Sequence, residues 1–189
     1  MGQKGERGRR IRSRGHISCK MVRRLYFQNR GSVMLFYIVF FVVTAIDQIS
    51  KVWIRTMLKV GESMPFYKDI ISFTHYQNTG AAGSSLQGWA RYLGIFAVII
   101  VIAIFYYRKK GRLQGVLLQC GAALFAGGAI GNAIERLLFG KVTDFIVFRS
   151  GNGIMNVADL AINLGVVCFA LDMFFSLRRK GFRKEKTAS

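Results

Sequence analysis

The sequence predicts an all-α membrane protein, four transmembrane helices with a small extracytoplasmic β-like flap, and three observations predict it. The 189-residue chain is 52% hydrophobic against 20% charged, and its mean hydropathy of +0.30 is high for so basic a protein. The apolar residues gather into four stretches, 33–54, 90–107, 113–138 and 157–177, each near the roughly 20 residues that a bilayer-crossing helix needs. The net charge of +19 is segregated, with ten Lys and Arg against one Glu in residues 1–32 and six against one Glu in residues 176–189.

That segregation excludes several classes. A nucleic-acid-binding module places its bases on the folded body, interleaved with polar and aromatic residues. Here they lie at the two ends, where attraction to anionic membrane lipid explains them better, and no nucleic-acid partner is expected. Phe, Leu, Ile and Val are too abundant for disorder. Helices of a soluble bundle would show an apolar stripe rather than all-round hydrophobicity. Cys19, Cys120 and Cys168 are too far apart for a disulfide framework or a metal cluster, and His16 and His75 make no metal site. Neither a metal nor a cofactor is expected.

The chain therefore divides into a basic arm (1–32), a four-helix membrane domain (33–177) and a basic tail (178–189). The first apolar stretch is not a cleaved signal peptide, because it follows a long basic arm and lacks a small-residue cleavage pattern. Met21-Val22-Arg23-Arg24 already supplies a basic flank, so residues 1–20 are expected to be a start-site extension. Arg108, Lys109, Lys110 and Arg112 occupy the turn between the second and third stretches, whereas the other two connections are nearly balanced in charge. The positive-inside rule then puts both termini in the cytoplasm and the start of the fourth helix at the outer face.

Ionisable residues inside membrane segments are functional candidates. In the first helix Asp47 lies roughly 21 Å beyond Val33 at 1.5 Å per residue, towards the outer end. Lys51 follows at i+4, in the favourable acid-before-base order. The pair either locks this helix to the bundle or contacts a substrate or headgroup. The third helix carries Gly127 and Gly131, a small-xxx-small pair for close packing. Asn132 and Arg136 share a face of it, as an interhelical clamp or as a means of orienting carboxylates or a peptide carbonyl.

The connection after the first helix holds a strand-like run at 70–76 and a turn at Asn78-Thr79-Gly80. This is the expected flap, with His75 as a surface strand residue. Asp144 lies in a short apolar run beyond the third helix. Asn156 is a natural N-cap of the fourth helix, with Asp159 at its third position. Capping alone would account for Asp159 but not for Asp144. About a dozen residues separate the two acids, so both can reach one depth. Two carboxylates held close tend to share a proton, which suits one as base on a water and the other as acid. Ser72, Ser84 and Ser85 have no nearby base. A transporter would stagger its acids through the bilayer, and a scaffold would not require both residues to be acids.

Asp47-Gln48-x-x-Lys51, Asn78-x-Gly80-Ala81-Ala82, Gly127-Gly128-Ala129-x-Gly131-Asn132-x-x-x-Arg136, Gly140-x-Val142-x-Asp144-Phe145-Ile146 and Asn156-Val157-Ala158-Asp159 follow one another along residues 33–177. Together they resemble the bacterial lipoprotein signal peptidase family, signal peptidase II. The resemblance implies a multi-pass aspartyl endopeptidase of the bacterial cytoplasmic (inner) membrane, with its active site towards the outer face. It would cleave prolipoproteins just before a diacylglyceryl-modified cysteine. It implies Asp144 and Asp159 as the catalytic pair. Asn78, Gly80, Asn132, Arg136 and Asn156 would orient substrate and aspartates, and Asp47 and Lys51 would stabilise the fold or the site. Two positions depart from the family pattern: Glu135 stands where Asp is usual, and Gly83 where Phe is frequent. Glu135→Asp is expected to be tolerated.

Overall fold

The computed structural model describes residues 19–68, 70–80, 85–149 and 153–188. The expected start-site extension, apart from its last two residues, and Gly83 lie outside them. Among the described residues, four helices and four strands follow one another: α1 (Cys19–Met57), β1 (Ser63–Tyr67), β2 (Ile71–Asn78), α2 (Ala90–Lys109), α3 (Val116–Phe139), β3 (Val142–Phe148), β4 (Ile154–Met155) and α4 (Val157–Ala188).

Each helix contains a span long and apolar enough to cross a membrane: Val33–Met57, Ala90–Lys109, Val116–Phe139 and Val157–Arg178. Helices α1 and α4 extend past these spans into the basic arm and tail. Lys and Arg are good helix formers, so the end of hydrophobicity does not end the helix. Helix α3 packs against α1, α2 and α4. Its span is 61% buried, whereas those of α1 and α4 are 11% buried, which makes α3 the centre of the bundle. Its composition explains the position. At Gly127 and Gly128 an added Cβ would come within 2.9 Å of the Phe40 carbonyl oxygen and 2.4 Å of that of Ala158. Glycine here lets α1 and α4 approach to backbone contact. On the outside, Phe41, Ile49, Phe96, Ile102 and Met173 are exposed, as a lipid-facing surface requires.

The strands form one antiparallel sheet in the order β1-β2-β3-β4. The flap expected at 70–76 is thus part of a larger sheet, completed by β3 and β4 from the connection before α4. Pro65 lies in β1, an edge strand, where a missing N–H does not break a ladder. Gly140 adopts the left-handed conformation (φ 67°) and closes α3 with its N–H on the Arg136 carbonyl at 3.1 Å, the usual glycine stop. The chain therefore enters β3 two residues later. From Val142 to Ile146 this strand is buried on both faces. Phe145 and Ile146 pack with Ile54 of α1, and Phe73, Val157 and Leu160 close around them. That core holds β3 against the sheet end of α1 and α4.

Candidate active site

Buried polar residues collect where α1, α3, β3 and α4 meet. Asp47, Lys51 and Asn156 are fully buried, with Glu135 and Asn132 nearly so. Charges so placed must be paired and hydrogen-bonded. Lys51 Nζ donates to Asp47 Oδ2 and to Asn132 Oδ1, both at 2.8 Å, and lies 3.6 Å from Glu135 Oε2. Asp47 Oδ1 accepts the Ala158 N–H at 2.9 Å. Ala158 stands in the first turn of α4, whose N–H groups lack helical partners, so α1 caps α4 across the bundle. Gln48 Nε2 donates to Asp47 Oδ2 at 3.0 Å and to the Gly131 carbonyl at 2.9 Å, tying the same carboxylate to α3.

The start of α4 also caps itself. Asn156 Oδ1 accepts the Asp159 N–H at 3.0 Å, and Asp159 Oδ2 accepts the Asn156 N–H at 3.2 Å, a reciprocal capping arrangement. Asp159 Oδ1 accepts from Asn132 Nδ2 at 2.9 Å. Asn156 Nδ2 donates to Asn132 Oδ1 at 3.1 Å and to Asp144 Oδ1 at 2.6 Å. The two aspartates are therefore linked through two asparagine amides.

Asp144 receives its other hydrogen bond from across the sheet. Asn78 pairs with Val142 and Tyr76 with Asp144, so Asn78 and Asp144 are diagonal neighbours on one face. Asn78 Nδ2 donates to Asp144 Oδ2 at 3.0 Å, and Asn78 Oδ1 accepts the Gly80 N–H at 2.9 Å. The Gly80 bond fixes which way the Asn78 amide points. A Cβ on Gly80 would fall 2.1 Å from the Ser85 carbonyl oxygen, so no other residue fits. Burial, and then the neighbouring Asp159 charge, push the Asp144 carboxyl up to about 6, against the amides of Asn78 and Asn156 and the charge of Lys51.

Arg136 reaches from α3 towards the same point. Its Nη2 donates to the Gly80 carbonyl over a long 3.4 Å. Its buried Nε has no partner among the described residues, and its charge acts on both Asp159 and Asp144.

All the site residues expected from the sequence fall in this one network: Asp47, Lys51, Asn78, Gly80, Asn132, Arg136, Asp144, Asn156 and Asp159. Others were missed. Gln48 braces Asp47. Glu135 Oε2 accepts the Thr143 N–H at 2.8 Å, its Oε1 accepts from Thr143 Oγ1 at 3.0 Å, and Arg55 pairs with it. The available signal was the spacing of Asp47, Lys51 and Arg55 by four, one helix face. His75 corrects an expectation: it is buried, with Nδ1 at 2.8 Å from the Leu58 carbonyl. Strand alternation puts it on the same face as Ile71 and Phe73, which pack into the core.

Chemically, the arrangement brings two carboxylates close enough for the charge of Asp159 to raise the Asp144 carboxyl. A guanidinium with unused donors stands beside them.

A family profile for signal peptidase (SPase) II matches residues 39–175. The chain is 36% identical over 158 residues to the lipoprotein signal peptidase of Halalkalibacterium halodurans, covering 82% of this chain and 100% of that protein. With the lipoprotein signal peptidase of Trichormus variabilis it shares 37% identity over 153 residues, covering 77% and 90%. Among solved structures, a bacterial membrane enzyme at 2.3 Å resolution superposes with a TM-score of 0.74 at 30% identity, covering 78% of this chain and 92% of that one.

Proposed function

The chain belongs to the signal peptidase II family, and from that premise we propose that it is an aspartyl endopeptidase that cuts prolipoproteins just before a diacylglyceryl-modified cysteine. The observation that carries the aspartyl mechanism is the bridge from Asp144 through Asn156 and Asn132 to Asp159. It holds two acids from separate segments at one point, and neither is in an ion pair among the described residues.

In this reading Asp144, whose carboxyl is pushed up to about 6 by burial and the neighbouring Asp159 charge, supplies the proton. Asp159 takes a proton from water as the water attacks the scissile carbonyl and passes it to the leaving amine, while the Asp144 proton goes to the carbonyl oxygen and returns to Asp144 as the tetrahedral intermediate collapses. Arg136 offers its free Nε to a backbone carbonyl of the substrate. Asn78, Gly80, Asn132 and Asn156 set the orientation of the acids, while Asp47 and Lys51 anchor α4. The signal peptide enters between helices from the lipid, and the diacylglyceryl chains remain in hydrocarbon.

The basic arm and tail, with the basic turn after α2, support a topology with both termini cytoplasmic and the sheet end of the bundle towards the outer face. Residues 33–177 form the peptidase domain, and residues 1–32 and 178–189 meet anionic lipid. The test is a gel-shift assay with purified protein and two precursors. Cleavage of the diacylglyceryl-modified prolipoprotein and not of its unmodified form is expected. Equal cleavage of both, or of neither, refutes the reading.

A further inference from the structure

We propose that Arg55 is a positioning residue for this reaction: acting through Glu135, it holds the start of β3 and so the place of Asp144. The inference rests on the aspartyl reading above for its kinetic consequence. Its structural consequence stands apart.

Arg55 closes α1, one turn beyond Lys51, and is 29% exposed at its side chain. A basic residue at the end of a span would ordinarily reach for lipid headgroups. Here it turns inward and pairs with Glu135, which is 1% exposed. Its Nη1 also lies 3.5 Å from Thr143 Oγ1, and its guanidinium sits 5.5 Å from the Phe139 ring centre. Glu135 spends both carboxylate oxygens on Thr143, one on its N–H and one on its hydroxyl. Thr143 immediately precedes Asp144. The guanidinium thus neutralises the carboxylate that clamps the residue before a proposed catalytic acid.

The charges of this corner explain why Arg55 is needed. Asp47 and Glu135 are balanced by Lys51 and Arg55. Without Arg55, Lys51 serves two buried carboxylates alone. It is drawn from its 2.8 Å contact with Asn132 Oδ1 towards Glu135, now 3.6 Å away. Both disturbances reach Asp144, one through Thr143 and the other through Asn132 and Asn156. Removing the charge of Glu135 as well restores the balance, and the amide oxygen of a glutamine can still accept the Thr143 N–H.

The experiment compares Arg55→Gln, Arg55→Lys, Glu135→Gln and the double variant Arg55→Gln/Glu135→Gln in purified protein. It measures kcat and KM on diacylglyceryl-modified prolipoprotein and the hydrogen–deuterium exchange of the peptide containing residues 142–148. Arg55→Gln is expected to lower kcat on the order of tenfold with KM within about twofold, and to speed exchange at 142–148. Arg55→Lys keeps most of the rate, and the double variant regains most of both properties lost by Arg55→Gln. A residue that merely packs would show no such rescue. Full kcat in Arg55→Gln, unchanged exchange, or a double variant no better than Arg55→Gln overturns the proposal. Exchange needs no substrate, so a wild-type protein that fails to cleave but shows the expected exchange pattern refutes the proposed reaction and leaves the positioning role supported.

Discussion

Asn156 and Asp159 cap each other at the start of α4, each side chain accepting the other's backbone N–H at 3.0 and 3.2 Å. The same Asn156 uses its amide to hold Asp144 and Asn132. One asparagine therefore ends a loop, starts a helix and joins two carboxylates. Helix initiation and the geometry of the acids cannot vary independently.

Asp144→Asn and Asp159→Asn are expected to abolish prolipoprotein cleavage while the protein still inserts and folds. The magnitudes for Asp144 support folding. Relieving a carboxyl raised from 3.8 to about 6 contributes about 3 kcal/mol near neutral pH, at roughly 1.4 kcal/mol per pH unit. Against this, an asparagine amide turns one donor towards the donors of Asn78 or Asn156, a loss of about 1–3 kcal/mol. The two nearly offset. Full activity of either variant in the gel-shift assay would remove that acid from the mechanism.

The raised Asp144 carboxyl also predicts a pH dependence of stability. The folded state binds a proton that the unfolded chain has released between pH 3.8 and about 6. The contribution is complete below 3.8 and is lost as pH rises through about 6. Thermal unfolding in detergent from pH 4 to 8 should show wild-type stability declining across that window, and Asp144→Asn declining less. Identical slopes would mean that Asp144 is not the group responsible. Asn78→Ala removes a hydrogen bond that favours the ionised form, so the wild-type decline should move to higher pH.

The four spans and the membrane-side polar residues were legible because each is a local pattern: apolar length, an i+4 pair, an N-cap with its acid three residues on. The sheet was legible only in part. Residues 142–148 read as an apolar run with an acid inside it, and they form a strand because β2, more than sixty residues earlier, offers an edge. The burial of Val142 to Ile146 on both faces likewise depends on helices from distant parts of the chain. Glu135 was noticed only as a departure from a family pattern. Its task requires Thr143 and Arg55, the latter eighty residues away, and no local spacing encodes that. The carboxylate holds Thr143 by its N–H and its hydroxyl, so the tolerance of Glu135→Asp expected from sequence requires α3 and β3 to approach to make up for one methylene.

Asn156→Ser separates the two tasks of that residue. Serine is as good an N-cap as asparagine, and loss of the cap altogether would cost about 1 kcal/mol. The cap survives, so the stability lost should be that of the two buried amide hydrogen bonds, about 1–3 kcal/mol. The amide that holds Asp144 and Asn132 is gone, and activity should fall on the order of a hundredfold, as when a positioning contact is misplaced. A variant with wild-type kcat would show that the bridge between the aspartates is dispensable.

Gly128→Ala tests the contact that sets α4 against α3. The new methyl would lie 2.4 Å from the Ala158 carbonyl oxygen and 2.9 Å from Ile162 Cγ1, and the first is backbone that cannot swing aside. Overpacking of this kind costs about 1–3 kcal/mol, and here it displaces the turn carrying Asn156 and Asp159. Both unfolding temperature and cleavage rate should drop. Gly31→Ala, with nothing within 4 Å of the added carbon, is the control and should be neutral or slightly stabilising.

Lys51→Met should be the most damaging change away from the two aspartates. It leaves Asp47 fully buried without its cation and Glu135 dependent on Arg55 alone. Removing one partner of a buried pair costs about 3–5 kcal/mol, whereas removing both is far milder. Asp47→Asn/Lys51→Met should therefore be more stable than Lys51→Met, since an asparagine oxygen can still accept the Ala158 N–H that Asp47 Oδ1 accepts now. Unfolding in mixed micelles measures the difference. If the double variant is no more stable than the single one, the lysine is held by its stem and its contact with Asn132 rather than by the charge of Asp47. If it is more stable yet cleaves slowly, Lys51 also orients Asn132, and through it both acids.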